Sequence, residues 1–133
     1  MIVSTKGRYA LRVLVDLAQQ GSGARVPLKD IAARQGISNL YLQQIAKRLV
    51  ECGLLEGTSG KGGGYALTRD PAEYAIGEVL NATEGTLASV ACLAPGAAPC
   101  DKAPVCKTLP MWKEYDELVR GFFSGKTIAD LAG

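Results

Sequence analysis

The sequence predicts a mainly α-helical fold carrying one small β-hairpin, a winged helix-turn-helix followed by a long C-terminal helix. Three observations predict it. Two short apolar-periodic segments meet at Gly36, a glycine-rich hairpin follows them directly, and a wide apolar stripe of large side chains recurs near the C-terminus. At 133 residues the chain holds one compact domain, or one small domain with an appended oligomerisation element.

Residues 5–20 form a first helix, with Ala10, Val13, Leu14, Leu17 and Ala18 on one face, packed under the segments that follow. Residues 21–27 are a turn-rich connector. Leu28, Ile31 and Ala32 then give a second helix its buried side, and Gly36 makes the turn. Ser38 N-caps a third helix, in which Leu42, Ile45, Ala46 and Leu49 repeat at i, i+3, i+4 and i+7. Its opposite side carries Asn39, Tyr41, Gln43, Gln44, Lys47 and Arg48. Amides, a phenol and cations in that pattern suit base edges and phosphates in a major groove. Helix-turn-helix spacing alone fits any pair of packed helices, so the hairpin that follows carries the distinction.

Leu54 and Leu55 start a strand, residues 60–64 make the tip, and residues 65–67 return. Lys61, Gly62 and Gly63 at the tip, with Tyr65 behind it, are expected to bring backbone and one cation close to phosphate or minor groove. A phosphate-binding nucleotide loop needs Ser or Thr after the lysine, and Gly62 stands there, which excludes that class.

Net charge is +2, but residues 1–70 hold ten Lys or Arg against five Asp or Glu, and residues 71–133 hold five against eight. The cations therefore sit on the part that reads as the DNA reader. No apolar run spans a bilayer, and the first residues lack the core and cleavage site of a signal peptide, so the expectation is a cytoplasmic protein without a membrane partner. With no histidine, no nucleophile elbow and no carboxylate pair, the chain does not read as an enzyme.

After the hairpin, Asp70 and Pro71 break the strand, and Ile76, Val79 and Leu80 mark a short helix closed by Gly85. Residues 86–107 lose periodicity in an Ala- and Pro-rich loop that carries Cys92, Cys100 and Cys106. Thiols in a reducing compartment point to metal, cluster or redox chemistry. The Cys92-x7-Cys100-x5-Cys106 spacing is too wide for a zinc knuckle, which favours an iron–sulfur cluster. Cys52, before Gly53 at a helix end, reads as a small buried apolar side chain.

Residues 109–123 regain a stripe in Met111, Trp112, Tyr115, Leu118, Val119, Phe122 and Phe123, which must be buried, partly on the reader and partly on a second copy across a two-fold axis. Thr127 and Asp130 form a capping box for a last helix over residues 128–132. The organisation is thus residues 1–85 as a winged helix-turn-helix, 86–107 as a cysteine-bearing sensor loop, and 108–133 as dimerisation helix and C-terminal cap.

STKGRYALR, RQGISNLYLQQI, GKGGGYAL, IGEVLNATEG, the three-cysteine loop and TIADL together make the chain resemble, nearly end to end, the Rrf-two family of bacterial winged-helix regulators, with its IscR-, NsrR- and CymR-like branches. The resemblance implies a homodimer on a double-stranded DNA operator, with recognition helices in successive major grooves and wings against minor grooves. It also implies a two-iron or four-iron cluster ligated by Cys92, Cys100 and Cys106. This chain has Leu109 where IscR-like members carry a histidine, and Arg8 where NsrR-like members carry an acidic residue. Asp101, Cys52, a partner's acidic residue and water stay open as the fourth ligand. In the recognition helix Gln43 replaces a glutamate common among IscR-like members, and in the wing Ser59 and Lys61 stand for the Arg and Pro of an RGPGGGY pattern. Two alternatives keep DNA binding without a cluster: thiol oxidation, with Lys102 and Lys107 lowering thiol pKa values, or control by a partner enzyme, as in the CymR-like branch.

Overall fold

In the computed structural model, which describes residues 3–21 and 23–133, six α-helices and a two-stranded sheet follow one another as α1 (Thr5–Gln19), α2 (Leu28–Gln35), α3 (Asn39–Glu51), β1 (Leu55–Thr58), β2 (Gly64–Leu67), α4 (Ile76–Glu84), α5 (Leu109–Ser124) and α6 (Ile128–Ala132). Ser4 caps α1 by accepting from the Gly7 amide, and α2 ends on Gly36, whose left-handed φ of 65° lets the chain turn at once into α3. Ser38 caps α3 through the Tyr41 amide at 3.1 Å, a bond whose loss costs about 1 kcal/mol.

The core is where α1, α3 and α4 meet: Ala10, Val13, Leu14, Leu42, Leu49 and Val79 are wholly buried. Each such Leu or Val side chain contributes roughly 1.5–3 kcal/mol. α2 is held on α1 by charge as well as packing. Arg34 donates to both oxygens of the buried Asp16 carboxylate at 2.7 and 3.0 Å, and Gln35 donates a third bond at 3.0 Å. Burial alone would raise the Asp16 pKa, but these hydrogen bonds and the Arg34 charge outweigh it and hold the carboxyl below its ordinary 3.8. The sign follows from linkage: with the native value below the unfolded one, this stabilisation is complete above about pH 4 and is lost as pH falls from 3.8 through the lowered native value. Urea midpoints between pH 2 and 5 are expected to fall less steeply in Asp16→Asn than in the parent.

β1 and β2 pair antiparallel from Leu55 opposite Leu67 to Thr58 opposite Gly64, and Val26 adds a single antiparallel bridge beside β2 by exchanging two 2.9 Å backbone bonds with Tyr65. The connector before α2 is therefore part of the wing. Behind it, the buried Tyr74 hydroxyl donates to the Leu54 carbonyl and accepts from the Thr68 amide, both at 2.8 Å. Such a bond fixes the base of the hairpin on the core.

The capping box of Thr127 and Asp130 is present as predicted. α6 then returns to the first half of the chain: Ile128 is wholly buried in the main core, and Ala75 and Thr127 form a β-bridge. This placement crosses the segment boundary drawn at residue 85 from sequence.

In the single chain the apolar stripe of α5 divides into an inner and an outer line. Asp116 is the buried residue of α5, with Trp112, Val119 and Phe123 half-buried beside it on the inner line. Met111, Tyr115, Leu118 and Phe122, at i, i+4, i+7 and i+11, form an outer line that is 40–68% exposed. Phe123 does cover the reader's body, its Cβ lying 3.4 Å from where a Gly77 Cβ would sit.

Candidate nucleic-acid interface and cysteine loop

Burial divides α3 cleanly. Leu42, Ile45, Ala46 and Leu49 are at most 1% exposed, whereas Asn39, Gln43, Gln44 and Lys47 all face solvent. The predicted reading face is thus displayed, although its flanks are not free. Tyr41 is half-buried, its ring edge-on to Tyr9 at 5.8 Å, with the Arg12 guanidinium 5.3 Å over the Tyr9 ring. Arg48 turns to the α4 side, where its Nε donates to the Ala82 carbonyl at 2.8 Å and its Nη1 lies 3.8 Å from Glu51. Lys47 is accordingly the more central cation. Ser38, also exposed, is occupied in capping.

The wing stands beside the end of α3 across a cleft of about 530 Å³ lined by Lys47, Val50, Glu51, Thr58 and Tyr65 among others. Lys61 and Gly62 are exposed at the tip, and the Gly63 amide is already bonded to the Gly60 carbonyl at 3.0 Å. Lys61 and Gly62 are therefore better placed than Gly63 to meet a phosphate. Tyr65 is half-buried, its ring lying across Gly57, and props the two strands.

Two residues on this surface were missed from sequence. Leu40 is 71% exposed on the outer line of α3, in register with Gln44 and Lys47 at i, i+4 and i+7, a spacing that would have revealed it. Arg25, in the connector, donates to Thr58 Oγ1 and lies 3.3 Å from Glu56 Oε1 on β1. As an exposed pair it contributes about 0–1 kcal/mol, but it sets a cation at the wing's base.

The loop between α4 and α5 is tied at both ends. The Asp116 carboxylate accepts from the Ser89 amide at 2.9 Å, and Cys106 Sγ lies 3.4 Å from Thr108 Oγ1 at the start of α5. Two 3-10 turns, Ala91–Leu93 and Ala103–Val105, shape what lies between. Cys92 and Cys100 are exposed, Cys106 is half-buried, and all are free thiols. Hydrogen bonds from Thr108, side chain first and then backbone, with the Leu109 amide, lower the Cys106 pKa below the ordinary thiol value. The helix start supplies the shift; Lys102 and Lys107, named from sequence for it, are not among its causes.

Three thiols on one loop are the soft donors an iron–sulfur cluster takes, so the donor chemistry fits. Their described positions are not convergent: among the described residues no three His, Cys, Asp or Glu side chains are gathered to hold a metal. Cys52, expected from sequence to be buried, is half-buried and packs against the main core.

Among the described residues no helix is long and apolar enough to cross a membrane. Residues 3–133 match the Rrf2 family model, described as an iron-dependent transcriptional regulator. The chain is 37% identical over 131 residues to the HTH-type transcriptional regulator IscR of Serratia proteamaculans, a match covering 98% of this chain and 79% of that protein. Its fold is similar to CymR, the global cysteine regulator of B. subtilis, with a TM-score of 0.82, 30% identity, and coverage of 99% and 96% of the two chains. It is also similar to T. potens IscR, with a TM-score of 0.78, 31% identity and coverage of 98% and 85%. These relatives are DNA-binding regulators and not enzymes, in keeping with a polar, cationic helix face beside a wing. The chain belongs to the Rrf2 family of winged-helix transcriptional regulators.

Proposed function

We propose that the protein is a cytoplasmic homodimeric regulator that lays two copies of α3 into successive major grooves of an operator and adjusts that grip through Cys92, Cys100 and Cys106. The observation that carries the docking is the exposed line of Asn39, Gln43, Gln44 and Lys47 opposite four buried apolar residues. Gln43 and Gln44, with Tyr41 at the flank, supply hydrogen bonds to base edges. Lys47, Arg48 and Lys61 supply charge to the backbone, the last at the minor groove. Lys47→Ala is expected to weaken binding to all duplexes about equally and to reduce the slope of log K against log salt by roughly one unit. An unchanged slope in that titration would rule out the docking.

For the cysteine loop, the reading is an iron–sulfur cluster held by the three thiols, supported by their donor chemistry and by the family's description as iron-dependent. A bound cluster supplies a redox- and oxygen-sensitive centre. This chain's contribution is to present Cys106 with a stabilised thiolate and to tie the loop, through Ser89 and Asp116, to α5. Protein purified without oxygen is expected to be coloured, with iron and acid-labile sulfide near stoichiometry, and Cys100→Ala is expected to lose both while staying folded.

A second reading, direct thiol sensing, is favoured by the Thr108 contact that lowers the Cys106 pKa and by the likeness to CymR. A colourless, metal-free protein that binds DNA and releases it on mild oxidation would select it.

A further inference from the structure

Leu40 has no function in the docking just proposed, yet it stands in the first turn of α3, two residues after the Ser38 cap. Recognition helices of this motif contact base edges with their N-terminal residues. An isolated exposed leucine elsewhere on a protein surface needs no explanation. This one is 71% exposed among Asn39, Gln43 and Gln44, whose amides already meet the polar code of the groove. The apolar feature a major groove offers to such a side chain is the thymine 5-methyl group.

We infer that Leu40 is a specificity-determining residue that reads one thymine methyl in each operator half-site. The inference rests on α3 being the base-reading helix. Its geometry follows from α3 alone: Leu40, Gln44 and Lys47 share the outer line, so a methyl under Leu40 lies next to the base met by Gln44 and toward the N-terminal end from the phosphate met by Lys47. Burying one methyl against leucine corresponds to about a fourfold gain in affinity per half-site.

The test uses the full-length protein and an operator selected from random duplexes. Each thymine is then replaced in turn by deoxyuridine, which removes the 5-methyl and keeps every hydrogen-bonding group. The expected result is one thymine per half-site at which the parent loses roughly three- to tenfold in affinity, with Leu40→Ala weaker on the thymine operator and indifferent to the replacement. Because Leu40 is exposed, the alanine variant is expected to fold as the parent does, which its melting curve checks. Silence of every replacement in the parent, or an undiminished penalty in Leu40→Ala, overturns the assignment while leaving α3 as the reader. A selection that enriches no sequence overturns both.

Discussion

Replacing Leu118 by glutamate is expected to give a folded monomer and to weaken operator binding by about 10²–10⁴-fold, the loss that accompanies uncoupling two linked binding modules. The physical reason is the outer line of α5. Met111, Tyr115, Leu118 and Phe122 are large, apolar and 40–68% exposed in the single chain, while the inner line through Asp116 and Phe123 already serves the fold. A self-complementary patch of this kind fits the two-fold pairing proposed for the dimer. At 68% exposure Leu118 contributes little to the monomer's own stability, so the melting temperature of a monomeric variant at low concentration is expected to move little. Sedimentation velocity reads the assembly and a titration of operator duplex reads the affinity. A Leu118→Glu protein that sediments as the parent does and binds with parental affinity would remove α5 from the interface.

The second large effect is expected at Gly64. Its φ of 152° disfavours an L side chain, and a Cβ there would stand 2.6 Å from the Val26 carbonyl carbon and oxygen. Backbone has nowhere to yield, because Val26 and Tyr65 are locked by two 2.9 Å bonds. Positive-φ strain of about 1–2 kcal/mol adds to overpacking of about 1–3 kcal/mol. Gly64→Ala is therefore expected to lower stability by roughly 2–5 kcal/mol, or to free the wing from the connector and lose the affinity that Lys61 supplies. Thermal unfolding together with operator titration distinguishes the two forms of damage. A variant unchanged in both would mean that the connector and the wing are not packed as described.

The contrast between these two sites shows where sequence reading stops. The α3 face was legible because one local period sets it: four apolar residues at helical spacing must point inward, so the amides and Lys47 must point out. Caps and turns were legible for the same reason, since Ser38, Gly36, Gly85 and the Thr127–Asp130 box act within a few residues of themselves. α5 was legible as a helix but not in its division. Its apolar residues cover so much of the circumference that periodicity cannot say which line meets the core. Only the position of α4 and the loop decides that, by giving Asp116 the Ser89 amide as a partner and Phe123 a seat beside Gly77.

By itself, then, the sequence determined the helix-turn-helix, the wing, the displayed side of α3 and the family, all of which rest on local spacing and short motifs. Tertiary structure alone decided that Arg48 leans on Ala82, that Val26 joins the wing, that Ile128 closes the core, and that Thr108 rather than a lysine tunes Cys106. Each of those depends on segments distant in sequence, or on the direction of a side chain at a helix end, and no periodicity along the chain encodes either.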